Sequence, residues 1–419
     1  MNAATPAARE LAAASRWGGE SCDELALALS LLLRVCPLES RARAACVCRA
    51  WRAAAAHPDL WQELRVERGL RTVTPATLAS LCARAGAGLR TLSLHAYTCS
   101  AITTADLLAA LRGGGCTGTG HLSATAWFTA EQAQQLAAAC PMLRHSACKI
   151  ECSLAEAAAA WTALPGPLTV KCRAQGEADA ALLAQCLRDN ASVTALTLND
   201  HIGVAGATQL AACLRTNTTL TSLHLAGSGL GDEGAAQLAQ GLGVNTTLTS
   251  LRLIFCGFGV AGATRLAECL RVNKTLSLLH LSLISIGDEG AAQLAEGLRV
   301  NTTLKTLSLV LNEIGAAGIS QLAECLRGNT GLTTFHTVGN NIGNAGVTQL
   351  AACLRVNTTV TTLVLQNTHM DDAGAMQLAD YLRATTTLTS VRFCDHTVGD
   401  VGKRALQEAC PPQCTLRLL

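Results

Sequence analysis

Asparagine recurs every 28 residues through the C-terminal half of the chain, at Asn217, Asn245, Asn273, Asn301, Asn329 and Asn357, and Thr385 takes the same place in the next unit. Each interval repeats one text: roughly N-x-T-L-T-x-L-x-L, a short variable loop, Ile/Leu-Gly, then x-x-G-A-x-x-L-A-x-x-L-R. A fixed period of this length marks a solenoid, because a single unit cannot bury its own leucines and must share a core with its neighbours. Two periodicities divide the unit. Leu220, Leu223 and Leu225 open with strand-like alternation, and Ala235, Leu238, Ala239 and Leu242 follow with helical spacing. A helix is wider than a strand, so the stack is expected to bend, with a parallel sheet on its inner face.

Residues 217–384 resemble leucine-rich repeats of the ribonuclease-inhibitor type, with LTSLHLAGSGLGDEGAAQLAQGL as a representative unit. The units also alternate: DEGAAQLAQGL and DEGAAQLAEGL at 232–242 and 288–298, against VAGATRLAECL at 260–270 with AAGISQLAECL and NAGVTQLAACL after it. That two-type pattern is similar to the same family. The resemblance implies an α/β horseshoe, sheet concave and helices convex, whose function is to bind protein.

At 419 residues the chain would ordinarily suggest two or three globular domains, but a repeat array makes length a poor guide. The net charge of +2 leaves no electrostatic footprint for nucleic acid or an anionic membrane. Among the 20 cysteines, Cys186, Cys213, Cys269, Cys325 and Cys353 all occupy the L-A-x-C-L step of the helix. A small apolar residue packed against the next repeat explains that position, and same-phase cysteines one repeat apart are too distant for a disulfide. Cys46-x-Cys48, Cys148-x-x-x-Cys152 and Cys410-x-x-x-Cys414 lack the second pair that a zinc site needs. Structural thiols in a reducing compartment are therefore expected, hence a cytoplasmic and/or nuclear protein without cofactor or metal. The N-x-S/T sequons at Asn190 and at five of the repeat asparagines recur because the repeat does. An Asn just after a helix is read as the residue that tolerates a left-handed turn.

Residues 1–20 are Ala-rich and polar, without an apolar face, and are expected to be disordered. The apolar run Leu25–Leu33 follows Asp23 and Glu24, where a signal peptide would carry positive charge, and it is too short to span a bilayer. Read as a helix, it lines Leu25, Leu29, Leu32 and Leu33 on one face and stops at Pro37. The sequence D-E-L-x-x-x-x-L-S-x-L, a spacer, V-C-R-x-W-R and P-x-L-W resembles an F-box, carried by Asp23, Glu24, Leu25, Leu29, Ser30, Val47, Cys48, Arg49, Trp51, Arg52, Pro58, Leu60 and Trp61. The chain departs from that pattern at Cys22, where the family usually has Pro, and in a long Arg-Ala spacer. The resemblance implies a helical module (residues 21–66) that docks the Skp-type adaptor of a cullin–RING ubiquitin ligase through Leu25, Leu29, Val47, Trp51 and Trp61. Without adaptor binding, the same helices would serve as the cap that the first repeat of a solenoid needs.

Residues 67–189 carry degraded repeats, with strands expected at 89–94, 120–124, 143–148 and 168–172, and residues 190–419 carry the regular ones. The glycine-rich 113–120 lacks the G-K-[ST] ending of a phosphate loop and reads as a loop between repeats. Asp232-Glu233, Asp288-Glu289 and Asp371-Asp372 fall at helix starts, and Arg215, Arg271, Arg299, Arg327, Arg355 and Arg383 at helix ends, where each sign suits its own helix dipole. The Asn that often closes the strand-to-helix turn in such repeats stands only at Asn312 and Asn340, so the turn at Ile284 is expected to be less uniform.

If Leu223 and Leu225 face the core, the residue between them faces the groove. Across the units that column reads Thr197, His224, Arg252, His280, Ser308, His336, Val364, Arg392. Three His and two Arg in one stripe predict a mildly basic, pH-sensitive surface for an acidic or polar target. Flanking Ile254, Leu278, Val310 and Val338 are expected to be exposed. No nucleophile–base, paired-carboxylate or H-E-x-x-H arrangement stands at interpretable spacing, and the expectation is a non-enzyme. The expected function is a substrate receptor of an SCF-type ligase, with the repeats holding an unknown protein target. A plain leucine-rich-repeat scaffold or inhibitor is the alternative. A Ran-type GTPase activator, a more distant one, typically continues into an acidic tail, whereas this chain ends Cys-Thr-Leu-Arg-Leu-Leu.

Overall fold

The computed structural model describes residues 62–66, 74–94, 103–142, 145–153, 168–173, 177–188, 190–199, 201–394 and 397–418. The expected adaptor contacts Leu25, Leu29, Val47, Trp51 and Trp61 lie outside the described residues. Contacts divide the chain into two compact units, residues 1–149 with 163–166 and residues 150–162 with 167–419. In the first, β1 (Glu63–Val66), α1 (Pro75–Ala85), β2 (Thr91–Leu94), α2 (Thr104–Gly113), β3 (His121–Phe128) and α3 (Ala130–Ala139) alternate. Strands β1, β2 and β3 pair parallel in chain order. Helices α2 and α3 open with capping boxes, Thr103 with Asp106 and Thr129 with Gln132, which satisfy two free amides each. Strand β4 (His145–Ser153) runs across the division.

The second unit begins with β5 (Leu168–Arg173), α4 (Glu177–Arg188), β6 (Val193–Leu198), α5 (Gly203–Leu214), β7 (Ser222–Ala226) and α6 (Gly231–Val244). It continues through β8 (Ser250–Ile254), α7 (Val260–Val272), β9 (Leu278–Ser282), α8 (Gly287–Leu298), β10 (Thr306–Val310) and α9 (Ala316–Gly328). The last elements are β11 (Thr334–Val338), α10 (Gly343–Leu354), β12 (Thr362–Gln366), α11 (Asp372–Ala384), β13 (Ser390–Cys394), α12 (Asp400–Ala409) and β14 (Thr415–Leu418). From β5 to β14 every strand pairs parallel with the next, giving an open sheet backed by the helices. The fold is a leucine-rich-repeat solenoid. Its core lies between the two layers: Leu223, Leu225, Leu251, Leu253, Leu279 and Leu281 from the strands, and Leu238, Leu266 and Leu294 from the helices, are essentially inaccessible.

The repeat asparagines do something other than what the sequence suggests. Asn245, Asn273 and Asn329 follow their helices with φ near −70° and extended ψ, so no left-handed turn forms there. Each is buried, and its Nδ2 reaches back one repeat to the last-turn carbonyl of the preceding helix: Asn245 to Leu214 O, Asn273 to Leu242 O, Asn301 to Leu270 O, Asn329 to Leu298 O and Asn357 to Leu326 O, all at 2.7 Å. The Oδ1 accepts from amides two and three residues ahead, as in Asn301 with Thr303 N (3.1 Å) and Leu304 N (2.8 Å). A helix leaves its last carbonyls without intrahelical partners, and here the next repeat supplies a donor. Burial also removes these sequons from any modifying enzyme while the chain is folded.

Helix starts are shared between repeats too: the acids stand in the first turns of their own helices, where the dipole favours them, and three of them also reach the start of the next helix. Asp232 Oδ1, in the first turn of α6, accepts from Gly259 N (2.8 Å) and Gly262 N (2.7 Å) at the start of α7. Asp288 does the same for Gly315 N (2.7 Å) and Gly318 N (2.9 Å), and Asp372 for Gly399 N (2.7 Å) and Gly402 N (3.1 Å). Val260 and Ala316 hold the equivalent place in the intervening units and offer no acceptor; the helices after them, α8 and α10, open instead through Gly287 and Gly343 at positive φ. Helix α11 opens in a third way: Asn344, at the same place one unit earlier, accepts from Asp371 N at 3.0 Å and donates to Asp371 Oδ1, which in turn caps Ala373 N at 2.8 Å. Asp288→Ala should lower stability by about 1 kcal/mol, the usual worth of a capping side chain, with faster hydrogen exchange at the Gly318 amide. An unchanged exchange rate there would show that the cap is not formed in solution.

The loops after β8, β9, β10 and β12 place their first and third residues at positive φ: Phe255, Leu283, Ser285, Leu311, Glu313, Asn367 and His369 at 49–60°, with Gly257 at 74°. A left-handed non-glycine residue costs roughly 1–2 kcal/mol. The turn at Ile284 is as regular as its neighbour, since Leu283 and Ser285 (54° and 58°) match Leu311 and Glu313 (53° and 60°). Ile284 itself is buried, and its amide donates to Asn312 Oδ1 of the next unit at 3.1 Å. Asn312 N donates in the same way to Asn340 Oδ1 at 3.0 Å, so the turn at Ile284 is held by the unit after it. Ile284 has no side-chain donor to return to the unit before, as Asn312 does to Leu281 O at 3.0 Å.

Candidate functional site: the strand face

The strand register fixes one column across the outer face of the sheet. Thr197 pairs with His224, His224 with Arg252, Arg252 with His280, His280 with Ser308, Ser308 with His336, His336 with Val364 and Val364 with Arg392. The register continues to Arg417 on β14, a residue the sequence reading left out. The alternating C-T-L-R-L that ends the chain was the available signal for that last strand. Adjacent strands lie about 4.8 Å apart and side chains of the column project to one face, so the three histidines stand on alternate strands about 10 Å from one another.

The column is not uniformly open. Arg252 and Arg392 are exposed, the histidines are half-buried, and Ser308 and Val364 are buried. Ser308 Oγ sits 2.8 Å from His280 Nδ1 and so holds that ring. His224 Nε2 is buried without a hydrogen-bond partner among the described residues. Flanking Ile254, Leu278, Val310 and Val338 are half-buried rather than exposed, because each packs within a continuous sheet between neighbours on both sides.

Burial and nearby guanidinium groups hold these imidazoles neutral. Burial and then the Arg252 charge push His224 below the ordinary value. His280 is lowered to about 4 by burial, then by Arg252 and by the flanking His224 and His336. Burial and Arg392 lower His336. The stripe is thus less basic near neutrality than three His and two Arg imply: from β6 to β14 its positive charge sits on Arg252, Arg392 and Arg417. NMR titration of the imidazole Cε1–H signals should show a midpoint near 4 for His280 and midpoints below the ordinary value for His224 and His336. A depressed folded-state pKa means that the unfolded chain binds protons first. The stability contribution of His280 is therefore complete above about 6.5 and is lost as pH falls from there toward about 4. An unshifted midpoint for His280 would show that the face is hydrated in solution.

Beyond the strands, an apolar row lines one edge of this face. Phe255 (68% exposed), Leu283 (45%) and Leu311 (48%) occupy the same place in three consecutive loops. Beside them opens a groove of about 410 Å³ that also meets Ser285, Glu313 and His369. Sequence spacing missed this row because strand alternation stops where these loops begin. On the helix side, Cys213, Cys269, Cys325 and Cys353 are buried free thiols, and burial pushes Cys269 up to about 12. Among the described residues no group of three or more His, Cys, Asp or Glu could hold a metal ion, and no helix is long and apolar enough to cross a membrane.

A leucine-rich-repeat family profile matches the chain at residues 216–239, 244–267, 300–323 and 356–379. No curated protein matches the sequence. Among solved structures, a similar chain is the leiomodin-1 Actin-Binding Site 2, at 22% identity over 29% of this chain and 70% of that one, with a TM-score of 0.27.

Proposed function

We propose that this protein is a non-catalytic receptor whose strand face takes a protein target and whose N-terminal module docks a Skp-type adaptor, making it a substrate-recognition subunit of a cullin–RING ubiquitin ligase in the cytoplasm and/or nucleus. The repeat architecture supports the first half: an open parallel sheet with a continuous outward column is a surface for another polypeptide. The second half is carried by one observation, the spacing of Asp23-Glu24-Leu25, Leu29, Val47-Cys48-Arg49, Trp51-Arg52 and Leu60-Trp61, which resembles an F-box. Adaptor docking through Leu25, Leu29, Val47, Trp51 and Trp61 would leave ubiquitin transfer to the partners, and no cofactor is needed for either contact.

The test is capture of a purified Skp-type adaptor by the full chain, with Trp51→Ala and the double variant Leu25→Asp/Leu29→Asp as controls. Binding by the wild type that both variants lose at unchanged repeat stability is the expected result. Absence of adaptor binding, with the variants only lowering the melting temperature, would make residues 21–66 a cap and leave a leucine-rich-repeat scaffold or inhibitor.

A further inference from the structure

We infer that the row Phe255, Leu283 and Leu311, together with Arg252, docks an acidic protein segment that carries bulky apolar side chains. The inference rests on the reading of the strand face as a protein-binding surface and names the chemistry of what it binds. Backbone conformation is the first argument. The three residues sit at positive φ, 52–54°, where glycine is the unstrained choice. The loops on either side use glycine at the same place, Gly227 and Gly339. Three consecutive units therefore hold a bulky apolar residue where Gly227, Gly339 and, one unit further, Asn367 hold none, and Leu311 leans over the flanking Gly339.

The second argument is exposure. A strained backbone persists where something offsets it, yet these side chains remain about half or more exposed and are not core. Three units bounded by glycine define a patch about two strand spacings long, some 10 Å, which suits two or three side chains of one extended segment. The groove beside the row gives such side chains a place to enter.

Charge selects the partner. Arg252 is exposed, three residues before Phe255 on the same chain segment, and joins none of the ion pairs among the described residues. A strand advances about 3.3 Å per residue, so a carboxylate on Arg252 would stand about 10 Å from an apolar group on Phe255. At the opposite end of the row Glu313 accepts from Ser285 Oγ at 2.7 Å and repels a second carboxylate. The segment is thus oriented, with its acid toward Arg252 and its apolar residues toward Leu311.

The probe is a set of immobilised synthetic peptides of four compositions: Asp/Glu with Leu/Phe, Asp/Glu with Ser, Asn/Gln with Leu/Phe, and Lys/Arg with Leu/Phe. The full chain should be retained by the first at least tenfold more strongly than by the others. The triple variant Phe255→Gly/Leu283→Gly/Leu311→Gly should lose that retention tenfold or more while its melting temperature stays the same or rises, since glycine relieves the strained turns. Arg252→Glu should lose it as well. Retention that survives the glycine variant but is lost in Arg252→Glu or Arg392→Glu would overturn the row and leave the strand face as the binding surface. Preference for the Lys/Arg peptides would overturn the acidic partner. Retention by none of the four would take the strand-face reading down with the row.

Discussion

Asn301→Ala should destabilise the solenoid by about 4 kcal/mol, since each buried polar group left without a partner costs about 1–3 kcal/mol. The substitution strands groups on both sides of a repeat boundary. Leu270 O and Asn273 O lose donors at 2.7 and 3.2 Å, and Thr303 N and Leu304 N lose an acceptor at 3.1 and 2.8 Å. Asn301 is 1% exposed, so water does not replace these contacts without opening the stack. A loss of this size is a large fraction of the net stability of an ordinary domain. Asn301→Thr should fall between wild type and alanine. The array contains that experiment already: Thr385 Oγ1 still accepts from Thr387 N and Leu388 N, at 3.4 and 3.5 Å, but its other partners, Tyr381 Oη and Thr387 Oγ1 at 3.3 Å, both lie within four residues of it rather than one repeat back. Denaturant unfolding and hydrogen exchange at the Thr303 and Leu304 amides would measure both variants. An alanine variant within about 1 kcal/mol of wild type and with slow exchange at Leu304 would refute the account.

The direction of these bonds explains why the repeats hold together. Asn ties the C-terminal end of each helix to the unit that follows, and Asp232, Asp288 and Asp372 tie the start of a helix to the unit before it. Polar groups that a lone helix would leave to water become inter-repeat bonds, alongside the shared leucine core. A solenoid's stability is a sum over such neighbour terms, and here the polar part of each term can be assigned to named atoms. Exposed pairs such as Arg299–Glu296 and Arg327–Glu324, at 3.0 and 3.1 Å, join residues three apart in a single unit and tie no repeat to the next.

What the sequence made legible follows from what a period reveals. Equal spacing identifies equivalent residues, so the parallel sheet, the leucine core and the register from His224 to Arg392 could be read directly. It does not reveal which unit a side chain reaches. Asn245 satisfies its neighbours through a carbonyl 31 residues earlier, and Asp232 through amides 27 and 30 residues later. Read within one unit, the first looks like a turn residue and the second like a dipole charge. The electrostatics of the column were misjudged for a related reason: the type of a residue is visible in sequence, but the burial that makes His280 neutral and Ser308 inaccessible depends on both flanking strands. The row of Phe255, Leu283 and Leu311 keeps the 28-residue period, but strand alternation stops where the loop begins, so spacing does not say which way these residues face; backbone conformation and exposure do.

Gly297→Ala should lower stability, against the sign that helix propensity alone gives. Replacing glycine by alanine inside a helix ordinarily gains about 0.5–1 kcal/mol. At this position a Cβ would stand 2.5 Å from Ala267 O and 3.0 Å from both C and Cα of Ala267, which are backbone atoms of the preceding helix and cannot rotate away. Helices α7 and α8 must then move apart, and overpacking of this kind costs about 1–3 kcal/mol. The net expectation is a loss of about 1 kcal/mol for alanine and more than about 3 kcal/mol for Gly297→Leu, whose side chain has no way out of the interface. Gly241 meets Ala211 in the same manner, whereas Cys213, Cys269, Cys325, Cys353 and Tyr381 fill the equivalent place in other units. The slot is therefore closed by the preceding helix's backbone at Gly241 and Gly297 and filled by a buried side chain at the cysteine and tyrosine units. Gly328→Ala is the control: that glycine ends α9, is exposed, and has nothing within 4 Å of a Cβ, so the ordinary gain should appear. If thermal unfolding showed both alanine variants stabilised alike, helix spacing in this solenoid would be soft, and the alternation of unit types would have no packing role.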